Sequence, residues 1–354
     1  MAKRLLKGAE AIGEAAIAAG CKAYFCYPIT PQTEVAEYLA RRMPESGGAF
    51  LQAESEIGAA NMLFGAAATG ARVFTTSSSP GISLMQEAIS YITAAQLPVV
   101  FVNIIRSGPG LGGILPAQSD YFQATRGGGH GDYRTIVLAP ATIQEAVDMT
   151  MDAFDLADKY RNPVMVVGDG LIGQMMEPVE FPENYKPRTV DSSSWRTDGA
   201  RGREPHLIKT LYLDPQQCDD LNNVLAKKYE TITANEQKWE DWHQDEDYEV
   251  LVVSYGTMSR ICKTAIEDLA EEGLKVGHLR PISLYPFPYD AVARAAVKDH
   301  VNTVISIEMS MGQMVEDVEM AVQGKKPVKF FGRAGGIVPT PEEVATAIRD
   351  LGRS

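Results

Sequence analysis

Three short segments of the sequence carry side chains that could do chemistry together. In the first, Tyr27-Pro28-Ile29-Thr30-Pro31, two prolines bracket the Thr30 hydroxyl where the chain leaves an apolar stretch. The second, Ser55-Glu56-Ile57-Gly58-Ala59-Ala60, places a carboxylate before a run of small residues, and a carboxylate can act in proton transfer. The third is Arg106, whose guanidinium can give a carboxylate two parallel hydrogen bonds.

The elements that position these segments form an alternating pattern through residues 1 to about 170. Apolar strand patterns alternate there with helix patterns, which is typical of a parallel sheet with crossover helices. Ligands of open parallel sheets bind outside the carboxyl ends of the strands, and Arg106 follows one such strand. We expect strands at residues 23–27, 49–52, 72–76, 98–105, 135–139 and 163–168, and helices at 32–43, 55–69, 82–95 and 142–158.

A second, smaller α/β domain follows a connector. The connector is rich in Pro, Ser, Arg and Gly and continues as an acidic helical arm that contains Trp239 and Trp242. This arm is either solvated or a subunit-docking arm that the two tryptophans anchor. The fold class is therefore α/β with two open parallel-sheet domains, divided into a first domain at 1–176, the connector and arm at 177–247 and a second domain at 248–354.

Charge and cysteine content exclude several classes of protein. The net charge of −13 repels nucleic acid and anionic lipid, so neither is expected as a partner. The four cysteines form no C-x-x-C pair, so we expect neither a disulfide framework nor an iron–sulfur cluster built from this chain alone. No apolar run is long enough to span a membrane, and the first residues lack a signal-peptide core. These features predict a cytoplasmic protein.

Three glycine-rich motifs suggest sites but lack residues that such sites need. The stretch 108–113 fits G-x-G-x-x-G, but prolines interrupt it and no helix pattern opens on the glycines, so a dinucleotide site is not expected. Gly168-Asp169-Gly170 resembles the start of a magnesium-binding motif but lacks the later asparagine, so we expect a turn and no metal site. The glycine run 127–131 contains His130, which is either a catalytic base or a polar loop residue.

In combination, the segments resemble the alpha chain of the 2-oxoacid:ferredoxin oxidoreductases, most closely the branched-chain, 2-oxoisovalerate type. The resemblance covers nearly the whole chain and implies a thiamine-diphosphate pyrimidine-binding domain followed by a transketolase C-terminal-like domain. Besides Y-P-I-T-P and S-E-x-G-A-A, it rests on Arg280-Pro281-Ile282, the string 308–314 and Gly332-Arg333. The branched-chain type is indicated by the loop 108–112, Gln118, the string 121–124 and the glycine run 127–131.

The resemblance implies which residues bind thiamine diphosphate. Glu56 matches a carboxylate that hydrogen-bonds the pyrimidine N1′ and so favours the imino tautomer, which takes the proton from the thiazolium C2. Tyr27, Pro28 and Ile29 match residues that border the cofactor. Without the resemblance, an acid that complements a helix N-terminus would be the preferred interpretation of Glu56, and Glu54 is the alternative carboxylate.

The resemblance also implies a substrate site. Arg106 matches the cation that binds the 2-oxoacid carboxylate, and Thr30 matches a hydroxyl donor to the substrate. Taken alone, Arg106 could be a surface arginine, and the Thr30 hydroxyl could satisfy local backbone. The implied reaction is an oxidative decarboxylation that transfers the acyl group to coenzyme A and electrons to ferredoxin.

Partner chains follow from the same resemblance. A beta chain holds the diphosphate, Mg²⁺ and a [4Fe–4S] cluster, a delta-type chain holds further clusters, and a gamma chain is also present. Two alternatives remain open at this point. One is the same family acting on 2-oxoglutarate or pyruvate, and the other is a non-catalytic α/β protein that binds a nucleotide or solute.

Overall fold

The computed structural model describes residues 3–182, 185–188, 191–244 and 247–353. Residues 1, 2 and 354, at the outer ends of the two predicted domains, lie outside these ranges. So do six residues of the predicted connector and arm, namely 183, 184, 189, 190, 245 and 246. The strands are β1 (Arg4–Lys7), β2 (Ala23–Cys26), β3 (Ala49–Gln52), β4 (Val73–Ser77), β5 (Val100–Ile105), β6 (Ile136–Leu138), β7 (Val164–Asp169), β8 (Met176–Val179), β9 (Trp239–Trp242), β10 (Val250–Val253), β11 (Val276–Pro281), β12 (Ser283–Tyr285), β13 (Thr303–Glu308) and β14 (Val328–Gly332).

Helices connect most of these strands, as the alternating pattern predicts. They are α1 (Gly8–Ala18), α2 (Thr33–Glu45), α3 (Glu56–Ala68), α4 (Pro80–Ala94), α5 (Tyr121–Arg126), α6 (Ile143–Tyr160), α7 (Gly170–Gln174), α8 (Pro215–Asn235), α9 (Gly256–Glu271), α10 (Tyr289–Ala296), α11 (Met314–Val322) and α12 (Pro341–Arg353). Among the described residues, no helix combines the length and the apolar character needed to cross a membrane.

The larger sheet has seven strands in the order β12-β6-β7-β5-β4-β2-β3, and only β12 runs antiparallel to its neighbour. Strand β5 shows why this sheet forms, because every one of its side chains is buried. Its residues 100, 102 and 104 share a core with α1, α2 and α6, whereas residues 101 and 105 share one with α3 and α4. Helices on both faces are typical of a parallel sheet with a continuous apolar strand, which confirms the prediction for this stretch.

The smaller sheet has five strands in the order β14-β13-β10-β11-β9. Strands β10, β11, β13 and β14 are parallel, and β9 is an antiparallel edge strand. Both sheets therefore belong to the predicted α/β class, and each carries one antiparallel edge strand that the sequence patterns do not indicate.

Three short strands differ from the predicted organisation. Trp239 and Trp242, expected in the arm, lie on β9 and so belong to the smaller sheet. The strand β8 at the start of the predicted connector pairs with β1, and β12 reaches back from the second half of the chain to pair with β6. The helical arm itself is present as α8, where only Leu225 and Ile232 are buried. The two predicted boundaries, after residues 176 and 247, stay a prediction.

Candidate active site

The three segments singled out in the sequence meet at one edge of the larger sheet. Strands β2, β4 and β5 are parallel neighbours, so the residues that follow each of them lie side by side. Those residues are Y-P-I-T-P after β2, the stretch Ser78-Ser79-Pro80-Gly81 after β4 and Arg106 after β5. Glu56 lies beyond the end of β3, which is the neighbour of β2. The carboxyl edge of a parallel sheet is where such folds bind ligands.

Glu56 begins α3 with its side chain turned inward, and the residue is only 5% exposed. Helix capping is done by Ser55, whose hydroxyl accepts a hydrogen bond of 3.0 Å from the Gly58 N–H. Within the part of the chain that the structure describes, the Glu56 carboxylate has no hydrogen-bond partner. Its oxygens are not fully enclosed, so the unbonded carboxylate is open to a ligand that supplies a hydrogen bond.

The start of α4 is shaped around this carboxylate. A Cβ atom at Gly81 would lie 2.9 Å from Oε1 of Glu56 and 2.1 Å from Oγ of Ser77, so only glycine fits. The hydroxyls of Ser77 and Ser78 are buried and have no partner among the described residues. The side chains of Glu56, Ser77 and Ser78 are thus neighbours that have no hydrogen-bond partner among the described residues. The sequence interpretation missed these serines, although the string Ser77-Ser78-Ser79-Pro80-Gly81 at a strand end is a visible signal.

Arg106 is buried at 7% exposure, so it is not a surface arginine. Its Nη1 donates to the Thr30 carbonyl at 2.9 Å and its Nη2 to the Leu111 carbonyl at 3.1 Å. The Nε group is buried without a partner, and no carboxylate of the described residues forms an ion pair with this guanidinium. Because a guanidinium has five N–H groups, three remain for a ligand.

Gln32, which is fully buried, anchors the Y-P-I-T-P segment by hydrogen bonds to its backbone. Its Nε2 donates to the Tyr27 carbonyl at 3.1 Å, and its backbone N–H donates to the Ile29 carbonyl at 2.9 Å. The hydroxyl of Thr76 donates to Oε1 of Gln32 at 2.6 Å. This anchoring leaves Tyr27 exposed and Pro28 and Ile29 half-buried at the rim of the site.

Thr30 is exposed, and its carbonyl, not its hydroxyl, contacts Arg106. The hydroxyl makes no hydrogen bond within the described residues, so it does not satisfy local backbone. The structure therefore brings Thr30 and Arg106 into contact, while leaving the hydroxyl available to a ligand.

A polar network behind Arg106 was also missed in the sequence. Ser79 has a φ of 21°, a conformation that is strained for any residue except glycine. Its hydroxyl donates to Asp120 Oδ2 at 2.6 Å, and its N–H donates to Asn103 Oδ1 at 3.0 Å. Burial raises the pKa of Asp120, and the hydrogen bonds from Ser79 and Asn103 and the charge of Arg106 oppose that rise. No local pattern could have indicated Asp120, because its partners are distant in sequence.

Two of the three glycine-rich motifs adjoin the site: the loop 108–113 supplies the Leu111 carbonyl that accepts from Arg106, and a Cβ atom at Gly170 would lie 3.6 Å from Cγ of Pro31. His130 is exposed, and its ring packs edge-on against Tyr91. Tyr91 lies about three helical turns beyond Gly81 on α4, so His130 is far from Glu56. The neighbouring glycines are held by Gln86 and Tyr133, which accept hydrogen bonds from their N–H groups. Asp169 caps α7 by accepting a hydrogen bond of 2.9 Å from the Leu171 N–H. In the loop 108–113 no helix begins, and the next one is α5.

An apolar rim surrounds the site. We define it as the exposed side chains of Tyr27, Ile57, Leu84, Leu111 and Ile114. Large exposed apolar groups beside a polar site are typical of a surface that another molecule covers. Among the residues that the structure describes, no group of three His, Cys, Asp or Glu side chains could hold a metal ion.

Comparison with known families covers both halves of the chain. The family described as "Pyruvate flavodoxin/ferredoxin oxidoreductase, thiamine diP-bdg" matches residues 14–241. The family described as "Pyruvate:ferredoxin oxidoreductase core domain II" matches residues 248–344. The first match spans the strand ends that carry Glu56, Thr30 and Arg106.

Similar proteins point the same way. The ketoisovalerate oxidoreductase subunit VorB of Methanothermobacter marburgensis is 46% identical over 351 residues, which cover 99% of this chain and 98% of that protein. The 2-oxoglutarate synthase subunit KorA of Methanocaldococcus jannaschii is 35% identical over 98% of this chain and 100% of its own length.

Solved structures agree with these matches. The 2-oxoglutarate:ferredoxin oxidoreductase from Magnetococcus marinus, solved with 2-oxoglutarate, coenzyme A and succinyl-CoA bound, superposes with a TM-score of 0.87. It is 26% identical, and the match covers 99% of this chain and 65% of that one. A split-gene transketolase, 14% identical with a TM-score of 0.59, shares the fold alone. The predicted resemblance is confirmed, and the chain belongs to the thiamine-diphosphate-dependent 2-oxoacid:ferredoxin oxidoreductases.

Proposed function

We propose that this chain is the alpha subunit of an enzyme that oxidatively decarboxylates 2-oxoisovalerate to an acyl-CoA and CO₂, with electrons passing to ferredoxin. The observation that carries this proposal is the pair of buried, incompletely bonded side chains, Glu56 and Arg106, at one sheet edge. One offers a carboxylate and the other a cation, which are the groups that the cofactor and a 2-oxoacid need.

The residues around Glu56 fit the aminopyrimidine end of thiamine diphosphate. The Glu56 side chain has no hydrogen-bond partner among the described residues, and Gly81 lets the start of α4 pack closely against it. When bound, this cofactor supplies the carbon nucleophile that attacks the 2-oxo carbon. Glu56 would hold the pyrimidine nitrogen by a hydrogen bond from its carboxyl group. In this proposal Tyr27, Pro28 and Ile29, which follow the neighbouring strand β2, complete the cofactor-binding set.

The 2-oxoacid carboxylate fits at Arg106. Its three free N–H groups, including the buried Nε–H, can bind both carboxylate oxygens. The Thr30 hydroxyl lies next to this cation, because the Thr30 carbonyl already contacts it. In this arrangement Arg106 neutralises and orients the substrate, and Thr30 donates a hydrogen bond to it.

The substrate side chain is best matched by an apolar branched group. A second carboxylate, as in 2-oxoglutarate, would need a second cation, and residues 107–125 contain none. The next basic residue, Arg126, is paired with Asp317 at 2.9 Å. Leu111, Ile114 and Leu115 instead offer exposed apolar surface in the loop after Arg106. The ketoisovalerate relative is also more similar to this chain than the 2-oxoglutarate relative is.

Partner chains complete the enzyme. The relatives are named as subunits, and the apolar rim around the site supports a covering chain. We assign this role to a beta chain that holds the diphosphate, Mg²⁺ and a [4Fe–4S] cluster, with gamma and delta-type chains passing electrons to ferredoxin in the cytoplasm. Purified alone, this chain should contain no iron and turn over no 2-oxoacid. Stoichiometric iron on the isolated polypeptide would contradict the division of labour.

The substrate assignment is tested by the specificity of the assembled complex. We expect kcat/KM for 2-oxoisovalerate to exceed that for 2-oxoglutarate and pyruvate. Among branched acids the discrimination should be modest, because one methylene in an apolar pocket is worth about 1–3 kcal/mol. A clear preference for the dicarboxylate would overturn the substrate assignment and leave the family assignment intact.

A further inference from the structure

The second half of the chain contacts the stretch 118–122 of the first half through a segment that begins at the end of β13. We define the capped segment as residues 308–315. Glu308 is fully buried within it, and its carboxylate accepts hydrogen bonds from the hydroxyls of Ser306 and Ser310 at 3.1 and 2.9 Å. It also accepts from the backbone N–H groups of residues 313, 314 and 315 at 3.0, 3.0 and 2.9 Å. Five donors therefore fix the capped segment in one conformation.

The capped segment grips the stretch 118–122 of the first half of the chain. Gln313 donates to the Ser119 carbonyl at 2.7 Å and accepts from the Phe122 N–H at 2.8 Å. Gln118 makes two hydrogen bonds with Met309, its N–H donating at 2.8 Å and its Oε1 accepting at 3.0 Å. Asp120 lies between these anchor points, so the capped segment determines where its carboxylate is.

Asp120 is linked to Arg106 by hydrogen bonds through one residue, Ser79. Its Oδ2 accepts the Ser79 hydroxyl at 2.6 Å and the Asn103 amide at 3.0 Å. The Ser79 oxygen in turn accepts the Arg106 N–H at 3.1 Å. These contacts hold the Arg106 backbone in place where the chain leaves β5. The direction of the guanidinium depends on that turn, because the side chain must still reach the carbonyls of Thr30 and Leu111.

We propose that Asp120, held in place by the capped segment, is a positioning residue that acts through Ser79 to orient Arg106 toward the 2-oxoacid carboxylate. This proposal rests on the proposed function of Arg106 as the carboxylate-binding residue. It gives the second half of the chain a part in substrate binding, besides its packing with the first half.

The test measures KM and kcat of the assembled complex with 2-oxoisovalerate, and KM for coenzyme A. Asp120→Asn should raise KM for the 2-oxoacid about tenfold, because small misplacements of a binding group have effects of this order or larger. The KM for coenzyme A should stay unchanged. Ser79→Gly gives an independent variant, since glycine adopts a φ of 21° without strain but lacks the hydroxyl. It should raise the same KM even if Asp120→Asn does not assemble.

A double-mutant cycle separates positioning from general damage. In an Arg106→Ala background, Asp120→Asn should add almost nothing, since its effect passes through Arg106. Asp317→Asn is the matched control. Asp317 is buried at the same junction and accepts hydrogen bonds from Tyr121 and Arg126, but it does not touch Ser79. This control should lower stability and leave KM unchanged.

The outcomes distinguish this proposal from the one on which it rests. If Arg106→Ala raises KM while Asp120→Asn and Ser79→Gly do not, the positioning role is wrong and the carboxylate-binding role stands. If Asp120→Asn and Arg106→Ala are additive, Asp120 acts on its own and the proposal is overturned. If Arg106→Ala leaves KM unchanged, the proposed role of Arg106 fails and the positioning role fails with it.

Discussion

Two buried glutamates at the carboxyl edges of the two main sheets have opposite surroundings. Glu56, beyond β3, is 5% exposed and has no hydrogen-bond partner among the described residues. Glu308, at the end of β13, is fully buried and accepts five hydrogen bonds. Since native proteins rarely leave a buried polar group unsatisfied, the first carboxylate is available for a ligand and the second stabilises the fold.

Two buried arginines show the same contrast. Among the described residues, the Arg106 guanidinium donates to two backbone carbonyls and pairs with no carboxylate. Arg280, on β11, is paired with Glu145 at 2.7 Å and with Glu240 at 3.4 Å. The two arginines therefore differ in ion pairing, although each has a buried Nε without a partner among the described residues. The difference supports the proposal that Arg106 binds the substrate.

The largest expected effect is that of Glu56→Gln on turnover. The amide can still form a hydrogen bond but cannot favour the reactive tautomer of the cofactor in the same way. We expect kcat of the assembled enzyme to fall by about 10²–10⁴, with no loss of thermal stability, since no native hydrogen bond is broken. The exposed Glu54, changed to Gln, is the control and should leave kcat unchanged. Wild-type turnover from Glu56→Gln would refute the assignment.

Glu308→Ala should do the reverse and lower stability. Five donors would lose their acceptor, three of them backbone N–H groups at the start of α11. We expect the free energy of unfolding to fall by about 3 kcal/mol or more, because each unsatisfied buried donor costs about 1–3 kcal/mol. The exposed Glu316 in the first turn of the same helix is the matched control, and its change to Ala should cost less than about 0.5 kcal/mol. Equal losses would show that Glu308 is not a structural cap.

The arginine pair predicts a smaller difference of the same kind. Arg106→Ala should raise KM for every 2-oxoacid by about 10–100-fold, since hydrogen bonds to a charged group are worth about 1.5–3 kcal/mol. Arg280→Ala should leave KM unchanged and lower the free energy of unfolding by about 1–3 kcal/mol, because Glu145 and Glu240 lose their contacts with a buried cation. Measurements of KM and of chemical unfolding on both variants check this. A raised KM in Arg280→Ala, together with an unchanged KM in Arg106→Ala, would contradict the comparison.

The smallest expected effect concerns pH. Burial lowers the pKa of His278 from 6.5 to about 3, with the charges of Lys263 and Arg280 adding to the effect. Below pH 6.5, His278 therefore binds a proton in the unfolded chain but stays neutral in the folded chain. The free energy of unfolding consequently falls as the pH falls toward 3. Between pH 7 and 5.5 the loss should be about 1 kcal/mol. His278→Gln should remove that part of the slope in unfolding curves, and an unchanged slope would contradict the burial argument.

Much of the fold was predictable because its strongest signals are local. The apolar run at β5 and the alternation around it indicated a parallel sheet, and that prediction is confirmed. Strand β9 was missed because Trp-Glu-Asp-Trp is half charged and resembles the polar arm beside it. Ser79 and Asp120 were missed for a different reason. A positive φ at serine is rare, and a hydrogen bond between residues 41 positions apart leaves no local pattern.

The central claim is that Glu56 activates thiamine diphosphate. It is tested most directly by the rate at which the C2 hydrogen of the bound cofactor exchanges with deuterium, measured by NMR on the assembled enzyme without substrate. The account predicts that Glu56→Gln slows this exchange by about 10²–10⁴ while Glu54→Gln and Glu308→Gln leave it near the wild-type rate. An unchanged exchange rate in Glu56→Gln, with the cofactor still bound, would contradict it.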